Sequence, residues 1–305
     1  MNQAIMLSII VGVQHAQKNV AEIVRAVAPT LHPQVELLLC HTAADPDVPA
    51  LVGSQNQIRL ISGPAGSLIP HLWRDGILAA RGERVATTTA HCIPTQGWVE
   101  ALIAADLKNA AYGGIIENDP NADAKARAIF LLRYSAFAPP ETKRDVRELA
   151  ADNALYRRSD LLRHKDLLQL GFWEPSFHSR FHAEGIRLIL DPTLRVTHRN
   201  RYSAHEFIAQ RFAHGREFAL ARARMQSFLR SLLLILLAPC IFVVLITRIV
   251  SASRQKSELR KQLKGAGIWL AVFTLAWTVG ETFGYATTIR DRLATPRRKG
   301  APFRH

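Results

Sequence analysis

Residues 7–13 read LSIIVGV. Ile9, Ile10, Val11 and Val13 fill the run without the polar alternation of a strand that faces water on one side. The pattern is that of a strand buried on both faces, as in a parallel sheet covered by helices. Reading outward, NVAEIVRAV (19–27) spaces its apolar residues as a helix, and VELLLC (35–40) is a second buried run. IRLIS (58–62) is a third strand, LIPHLWRDGILAARG (68–82) a helix that stops at glycine, and ERVATTT (83–89) a fourth strand. GWVEALIAADLKN (97–109) predicts a helix and AAYGGII (110–116) another strand. Strands separated by short helices predict an α/β protein with a doubly wound, mainly parallel sheet. Ligands gather at the carboxyl ends of strands in such sheets. That rule points to ERVATTTAHCIPTQGW (83–98), where the fourth strand runs into His91 and Cys92.

Charge divides the chain. Residues 1–220 carry 24 Lys and Arg against 22 Asp and Glu, whereas residues 221–305 carry 15 against 3. The basic balance therefore belongs to the second part. There it is joined to two uncharged stretches, SLLLILLAPCIFVVLIT (231–247) and GAGIWLAVFTLAWTVG (265–280). The first would be about 25 Å long as a helix, slightly short of a hydrocarbon core of about 30 Å. A cationic, apolar tail suits anionic lipid headgroups better than nucleic acid, and 1–220 has no basic stripe with interleaved aromatics. The expectation is a catalytic domain over 1–220 and a helical membrane-associated region over 221–305. Arg248, Arg254, Lys256, Arg260, Lys261 and Lys264 lie between the apolar stretches, where a two-pass hairpin would put them outside the cell. Pro239 can break the first stretch into two arms, which favours a re-entrant or interfacial tail. Cys40, Cys92 and Cys240 are too few and too scattered for a disulfide framework. The start, MNQAIMLSIIVGV, lacks the basic region and cleavage site of a secretory signal.

His91 and Cys92 admit several readings. Neighbours in an extended segment point to opposite faces, which disfavours a direct nucleophile–base pair. A zinc site needs three or four ligands, of which His198, at the end of LRVTH, is one candidate. Cys92 also reads as a small buried apolar residue.

The order of several segments resembles the family 2 glycosyltransferases of the GT-A fold. They are LSIIVGV, VELLLC, DGILAARGERVA (75–86), a loop closed by Gly97-Trp98, AAYGGIIE, ADNALYRRSDLL (151–162), GFWEPSFHSRFHAEGIRLILDP (171–192) and VTHRN (196–200). AWTVGETFGY (276–285) also resembles the membrane-proximal ending of some bacterial members. The resemblance spans about 1–220. It implies transfer of a sugar from a nucleotide-sugar to a saccharide or lipid-linked acceptor, by inversion, at the cytoplasmic face of the inner membrane. Membrane lipids would be a partner, and nucleic acid would not.

Members of the family commonly hold Mg²⁺ or Mn²⁺ through an Asp-x-Asp motif after the fourth strand. Here Thr88-Thr89-Ala90-His91 stands at that place, with no carboxylate. No metal ligand is assigned, and weak or absent metal dependence is expected. The resemblance implies donor or diphosphate contacts from Thr89, His91, His198, Arg157 and Arg158. It implies acceptor contacts from Asp152, Asn153 and Trp173, with Trp173 as a sugar platform. Asp152 can instead cap a helix through Tyr156. Where the family has an acidic pair, this chain offers only Glu174, the expected catalytic base, with His178 as substitute; Glu174 before Pro175 also suits a helix start. The base-binding Asp expected after the second strand is missing, leaving Asp45 or Asp47 to compensate. The lost acids support an alternative: an inactive GT-A scaffold that binds a sugar nucleotide or a partner protein. A lipid-phosphate sugar donor and a Cys-dependent hydrolase are further rivals.

Overall fold

The computed structural model describes residues 4–14, 17–43, 47–52, 57–139, 142–224 and 226–294. Its strands are β1 (Leu7–Gly12), β2 (Val35–Thr42), β3 (Ile58–Gly63), β4 (Arg84–Thr89), β5 (Cys92–Pro94), β6 (Ala110–Asn118), β7 (Arg144–Asp145), β8 (Asn153–Arg157) and β9 (Arg187–His198). Helices α1 (Gln17–Val27), α2 (Val48–Val52), α3 (Ile69–Ala79), α4 (Trp98–Ala104), α5 (Ala124–Tyr134), α6 (Arg158–Arg163), α7 (Lys165–Leu168) and α8 (Glu174–Ala183) alternate with them. A helical C-terminal part follows: α9 (Ala204–Arg224), α10 (Phe228–Leu236), α11 (Ala238–Gln255), α12 (Ser257–Gln262) and α13 (Gly267–Ala294).

One sheet contains all nine strands, in the order β3-β2-β1-β4-β8-β6-β9-β5, with β7 on β9. The pairings β1 with β2, β1 with β4, β2 with β3 and β6 with β9 are parallel. Strands β8, β5 and β7 run against their neighbours. The mainly parallel sheet is as expected. The continuous run in β1 has a direct cause: Leu7, Ile9 and Val11 join the core under α1 and α5, and Ile10 joins the core under α3 and α8. With both faces covered, no residue of β1 can be left to water.

Three local readings are corrected. Asn153–Arg157 is an antiparallel strand, not a helix. Five residues inserted between two long strands lose helical periodicity as a signal, since tertiary pairing decides. Helix α4 ends at Ala104, five residues before the sequence reading has it. Residues 92–94, read as loop, pair with β9 and set Cys92 opposite His198. A bulge in β9 lets it bend: its register on β6 jumps between Gly114 and Ile115, from Asp191 to Arg195. Gly114 permits that bend, because a Cβ there would lie 1.9 Å from the Leu194 carbonyl oxygen.

The first apolar stretch of the C-terminal part is broken near Pro239, as expected. Among the described residues no single helix is long and apolar enough to cross a membrane. Helices α10 and α11 together meet that description, but the chain bends by 67° between them, where Pro239 sits in the first turn of α11. Helix α13, the second uncharged stretch, packs along α9. A Cβ on Gly280 would lie 2.1 Å from the Phe212 oxygen, and one on Gly215 2.3 Å from the Trp277 oxygen. Phe273 and Leu270 of α13 belong to the main core with Phe207 of α9. The sequence boundary at 220 thus falls inside α9.

Candidate active site

The carboxyl ends of β1 and β4 adjoin, with Gly12 paired to Thr89. Beyond them the chain is knitted by hydrogen bonds. The Ala90 amide donates to the Gly12 carbonyl, and the Arg199 amide to the His91 carbonyl. The antiparallel direction of β8 brings its first residues to this end, with Asn153 opposite Thr88. Asp152 is thereby delivered to the carboxyl end of the sheet. Its Oδ1 accepts from Thr89 Oγ1 at 3.2 Å, Arg133 Nη2 at 2.9 Å and Tyr134 Oη at 2.8 Å. Thr88 Oγ1 donates to the Asp152 carbonyl at 2.8 Å. Burial, the largest influence, lowers the Arg133 pKa, but Asp152 together with Tyr134, Tyr202 and Cys92 outweighs it and the pKa is raised.

Beside Asp152 lies a cavity of about 340 Å³ between α3, α5, α8 and α9, walled in part by Arg133, Asp152, Trp173, Glu174, Arg211 and Trp277. Glu174 opens α8, followed by Pro175, whose fixed φ and missing N–H suit a first helical turn. Burial pushes the Glu174 carboxyl up to about 7. Trp173 donates from Nε1 to the Leu170 carbonyl at 2.9 Å, which fixes its ring on the cavity wall.

The other expected residues are placed differently. The same antiparallel β8 that delivers Asp152 carries Arg157 to the amino end of β4, opposite Arg84. There Arg157 donates to the Leu107 carbonyl, and the Arg158 amide donates to the Glu83 carbonyl. Neither arginine lies near Thr89, so the structure corrects their diphosphate role. Asn153 is fully buried and spends its amide on the frame: Trp98 Nε1 donates to Oδ1, and Nδ2 donates to the carbonyls of Ile115 and Leu194. It has no polar atom to offer an acceptor.

His178 is buried between the Leu149 amide, 3.5 Å from Nδ1, and Tyr156 Oη, 3.1 Å from Nε2. Burial lowers its pKa to about 3, and it does not line the cavity holding Glu174. Asp47 is exposed, and Asp45 lies outside the described residues.

His91 and His198 do converge, their ring centres 6.2 Å apart. Both are buried, and neither lines the cavity. His91 stacks on Tyr202 at 4.4 Å, with Nε2 3.1 Å from the Gln14 carbonyl and Nδ1 3.3 Å from the Arg199 carbonyl. Burial lowers its pKa to about 4, so the ring is neutral and its one N–H donates to one of the two carbonyls. His198 presses against Tyr134 at 4.9 Å, and neither ring nitrogen has a hydrogen-bond partner. Burial holds it neutral as well. Cys92 is fully buried, and burial pushes its thiol up to about 12, which leaves it without thiolate character.

The residues present do not fit a hard divalent cation. Among the described residues Asp152 is the one carboxylate hydrogen-bonded to Thr89, its Oδ1 already takes three donors, and one of these is a guanidinium that would repel the metal. Among the described residues no three His, Cys, Asp or Glu side chains form a ligand group. Sequence reading missed Arg133, Arg211 and His214. The one signal was a cation inside the apolar run AIFLLRY (128–134) and another in FIAQRFAHG (207–215).

Comparison with known proteins bears on this arrangement. The sequence model of glycosyl transferase family 2 matches residues 8–164, just over half of the chain. No curated protein matches the sequence. Among solved structures, the mannosyltransferase PcManGT from Pyrobaculum calidifontis, in complex with GDP-Man and Mn²⁺, superposes with a TM-score of 0.53. It is 14% identical, over 92% of this chain and 87% of that one. GalNAc-T7 with UDP, GalNAc and Mn²⁺ gives 0.49 at 13% identity, over 67% of this chain. This chain spans 45% of the length of GalNAc-T7. Glucosyl-3-phosphoglycerate synthase from Mycobacterium tuberculosis gives 0.44 at 12%, over 69% and 78%. At these identities the likeness is one of fold.

Proposed function

As the chain belongs to glycosyl transferase family 2, we propose that it moves a sugar from a nucleotide-sugar to an acceptor hydroxyl with inversion, using Glu174 as base. The observation that carries this is the position of Glu174. It faces the cavity that also holds Asp152, which ties that cavity to the end of β4 through Thr89. Its carboxyl, raised to about 7 by burial, suits proton transfer near neutrality. In the reaction the acceptor oxygen forms a bond to the anomeric carbon as the bond to the diphosphate breaks. The hydroxyl proton passes to Glu174. Trp173 offers its ring beside the acceptor, and Asp152 holds the Thr89 loop in register.

The leaving diphosphate needs positive charge. The donor set around Thr89 is unfit for a hard cation, so this reading assigns that charge to side chains and not to a metal. A thermal-shift screen of nucleotide-sugars is expected to give a stabilising donor, since a ligand of the folded state raises stability by mass action. The shift should be the same with EDTA as with Mn²⁺. A shift seen only with Mn²⁺ defeats metal independence. Lack of any donor shift, with no turnover, leaves a binding scaffold in place of an enzyme.

The enzyme is further proposed to work at the cytoplasmic face of the inner membrane. Exposed apolar side chains support this: Leu229, Leu233 and Leu236 of α10, Val243 and Val244 of α11, and Leu275 and Phe283 of α13. Arg230 and Arg248 bound the uncharged part of the bent α10–α11 pair, and Arg254 lies in the last turn of α11. Arg297, Arg298, Lys299 and Arg304 lie outside the described residues. Apolar area with basic flanks suits docking on anionic lipid. The full chain is expected to float with vesicles containing phosphatidylglycerol, and Leu229→Asp/Leu233→Asp/Leu236→Asp to weaken flotation at least about tenfold. Equal flotation of the triple variant would overturn the assignment of α10.

A further inference from the structure

The cavity beside Asp152 holds guanidinium donors that the protein itself leaves unpartnered. Arg133 gives Nη2 to Asp152, but its Nη1 is buried without a partner. Arg211 of α9 is 7% exposed, and its Nε has no hydrogen-bond partner. Ring faces hold its guanidinium in place, Trp277 at 4.6 Å and Phe207 at 5.6 Å. One turn along α9, His214 Nε2 is also buried without a partner. All three side chains wall the same cavity.

Uncompensated charge is expensive to bury. Burial, then the neighbouring Arg133, lowers the Arg211 pKa to about 9, so the charge on Arg211 is costly to keep. The cavity's carboxylates do not meet these unpartnered donors. Asp152 Oδ1 is already shared among three donors, Glu174 is half-buried with its carboxyl pushed up to about 7, and Glu148 is exposed at the rim. Unspent guanidinium N–H groups around a void are what a bound oxyanion would satisfy, since their fork matches phosphate oxygens.

Resting on the transferase reading above, we propose that the acceptor carries a phosphate group, which seats on Arg133 and Arg211 and holds the attacking hydroxyl beside Glu174. The position favours the acceptor over the donor. Gly12, Thr89 and His91, at the ends of β1 and β4, do not line this cavity, whereas Glu174 and Trp173 do. A second cavity, of about 710 Å³, shares Glu148, Trp173, Pro175 and Phe218 with the first and extends to Arg222 of α9 and Arg248 of α11. Leu167, Leu170 and Ala221 give it an apolar wall. An acceptor body can extend there from its phosphate, toward the helices that expose leucine.

Trp173 and Trp277 line the first cavity, so tryptophan fluorescence can report its occupancy. Inorganic phosphate, titrated into the full chain at constant ionic strength, is expected to give a saturable change. Arg211→Gln should weaken that binding at least tenfold, and Arg211→Lys, which keeps charge but loses the fork, should fall between. UDP and GDP affinity should be equal in the three proteins, and phosphate should bind in their presence. Circular dichroism of the variants distinguishes a lost site from a lost fold, and Arg211→Lys carries the test if Arg211→Gln does not fold.

No saturable phosphate binding, equal binding by Arg211→Gln, or displacement of phosphate by UDP or GDP overturns the proposal. The last would give the arginines to the donor. Phosphatidylcholine vesicles with and without phosphatidic acid separate the sources. Binding that is tighter to phosphatidic acid than to inorganic phosphate, and lost in Arg211→Gln, supports a lipid phosphate. Arg211-dependent binding of inorganic phosphate alone supports a soluble phosphate ester. A chain that binds nucleoside diphosphate but no phosphate loses this inference and keeps the transferase reading. One that binds phosphate but turns over no nucleotide-sugar loses the acceptor assignment together with that reading.

Discussion

Glu174→Gln is expected to lower turnover about 10²-fold or more while donor affinity holds. The substitution preserves the shape of the side chain at the start of α8 and removes only its basicity. It leaves Pro175 and the first turn of the helix unchanged. A loss confined to kcat would therefore report a proton that no longer has an acceptor. Near-normal turnover would move the base elsewhere, and Asp152 is the remaining carboxylate deep in the cavity wall. His178 is a poor substitute, since its ring is buried with both nitrogens facing core partners.

The same group fixes a pH dependence. Burial raises the Glu174 pKa from 4.5 to about 7, so the active, ionised form accumulates only as pH passes through that value. The wild-type kcat/KM is expected to rise through about pH 7 and level above it, and the Gln variant to lack that limb. Stability runs the other way. A carboxyl whose folded pKa is raised binds its proton more tightly in the folded state. Its stabilising contribution is complete below about 4.5 and is lost as pH rises through about 7. The difference in melting temperature between the Gln variant and wild type should therefore move in favour of Gln from pH 5 to pH 8. A difference that stays constant over that range would place Glu174 in water.

The parallel half of the sheet was legible because continuous apolar runs have one cheap solution, burial on both faces. Leu7, Ile9 and Val11 face one core and Ile10 the other, as the missing alternation in LSIIVGV requires. Strand β8 was not legible. ALYRR has no period of its own, and only the gap between β4 and β6 makes it a strand. That one misreading moved two site residues. As the cap of a helix through Tyr156, the alternative reading, Asp152 would keep the two arginines close by. As an antiparallel strand, β8 sends Asp152 to the carboxyl end of the sheet and Arg157 to the other. Asn153 failed for a different reason. A buried amide with several bonds to make is as useful to a bulged sheet as to a sugar, and residue type cannot distinguish the two uses. Arg133 and Arg211 come from helices more than 40 residues away in sequence from Thr89, and only the packing of α5 and α9 brings them to Asp152's cavity. Helix α13 read as a membrane segment because its uncharged run up to Gly280 is what lipid also selects, while its buried residues include Thr274, Thr278 and Glu281 beside Gly280 and Gly284, which allow close approach to α9.

Asp152→Ala is expected to cost about 3–5 kcal/mol, more than a cavity of its size would explain. The carboxylate and Arg133 are 2.9 Å apart with side-chain exposures of 7% and 12%, so removing the acid strands a cation in a site from which water is nearly shut out. Tyr134 and Thr89 lose the same acceptor, and burial keeps the Tyr134 hydroxyl protonated and in need of one. If the cost is that of an orphaned charge, removing the charge as well should recover most of it. Arg133→Met in the Asp152→Ala background is accordingly expected to be more stable than Asp152→Ala alone, with a coupling of about 2 kcal/mol or more in the double-mutant cycle. Activity should not recover with stability. Without Asp152 the tie from Thr89 to α5 is lost, and without Arg133 the cavity loses a guanidinium proposed to seat the acceptor phosphate. Urea unfolding of the four proteins, with turnover measured on each, separates the two effects. Additive losses in stability would show that the pair is solvated enough to act as a surface bridge. Activity recovered in the double variant would remove Arg133 from the chemistry.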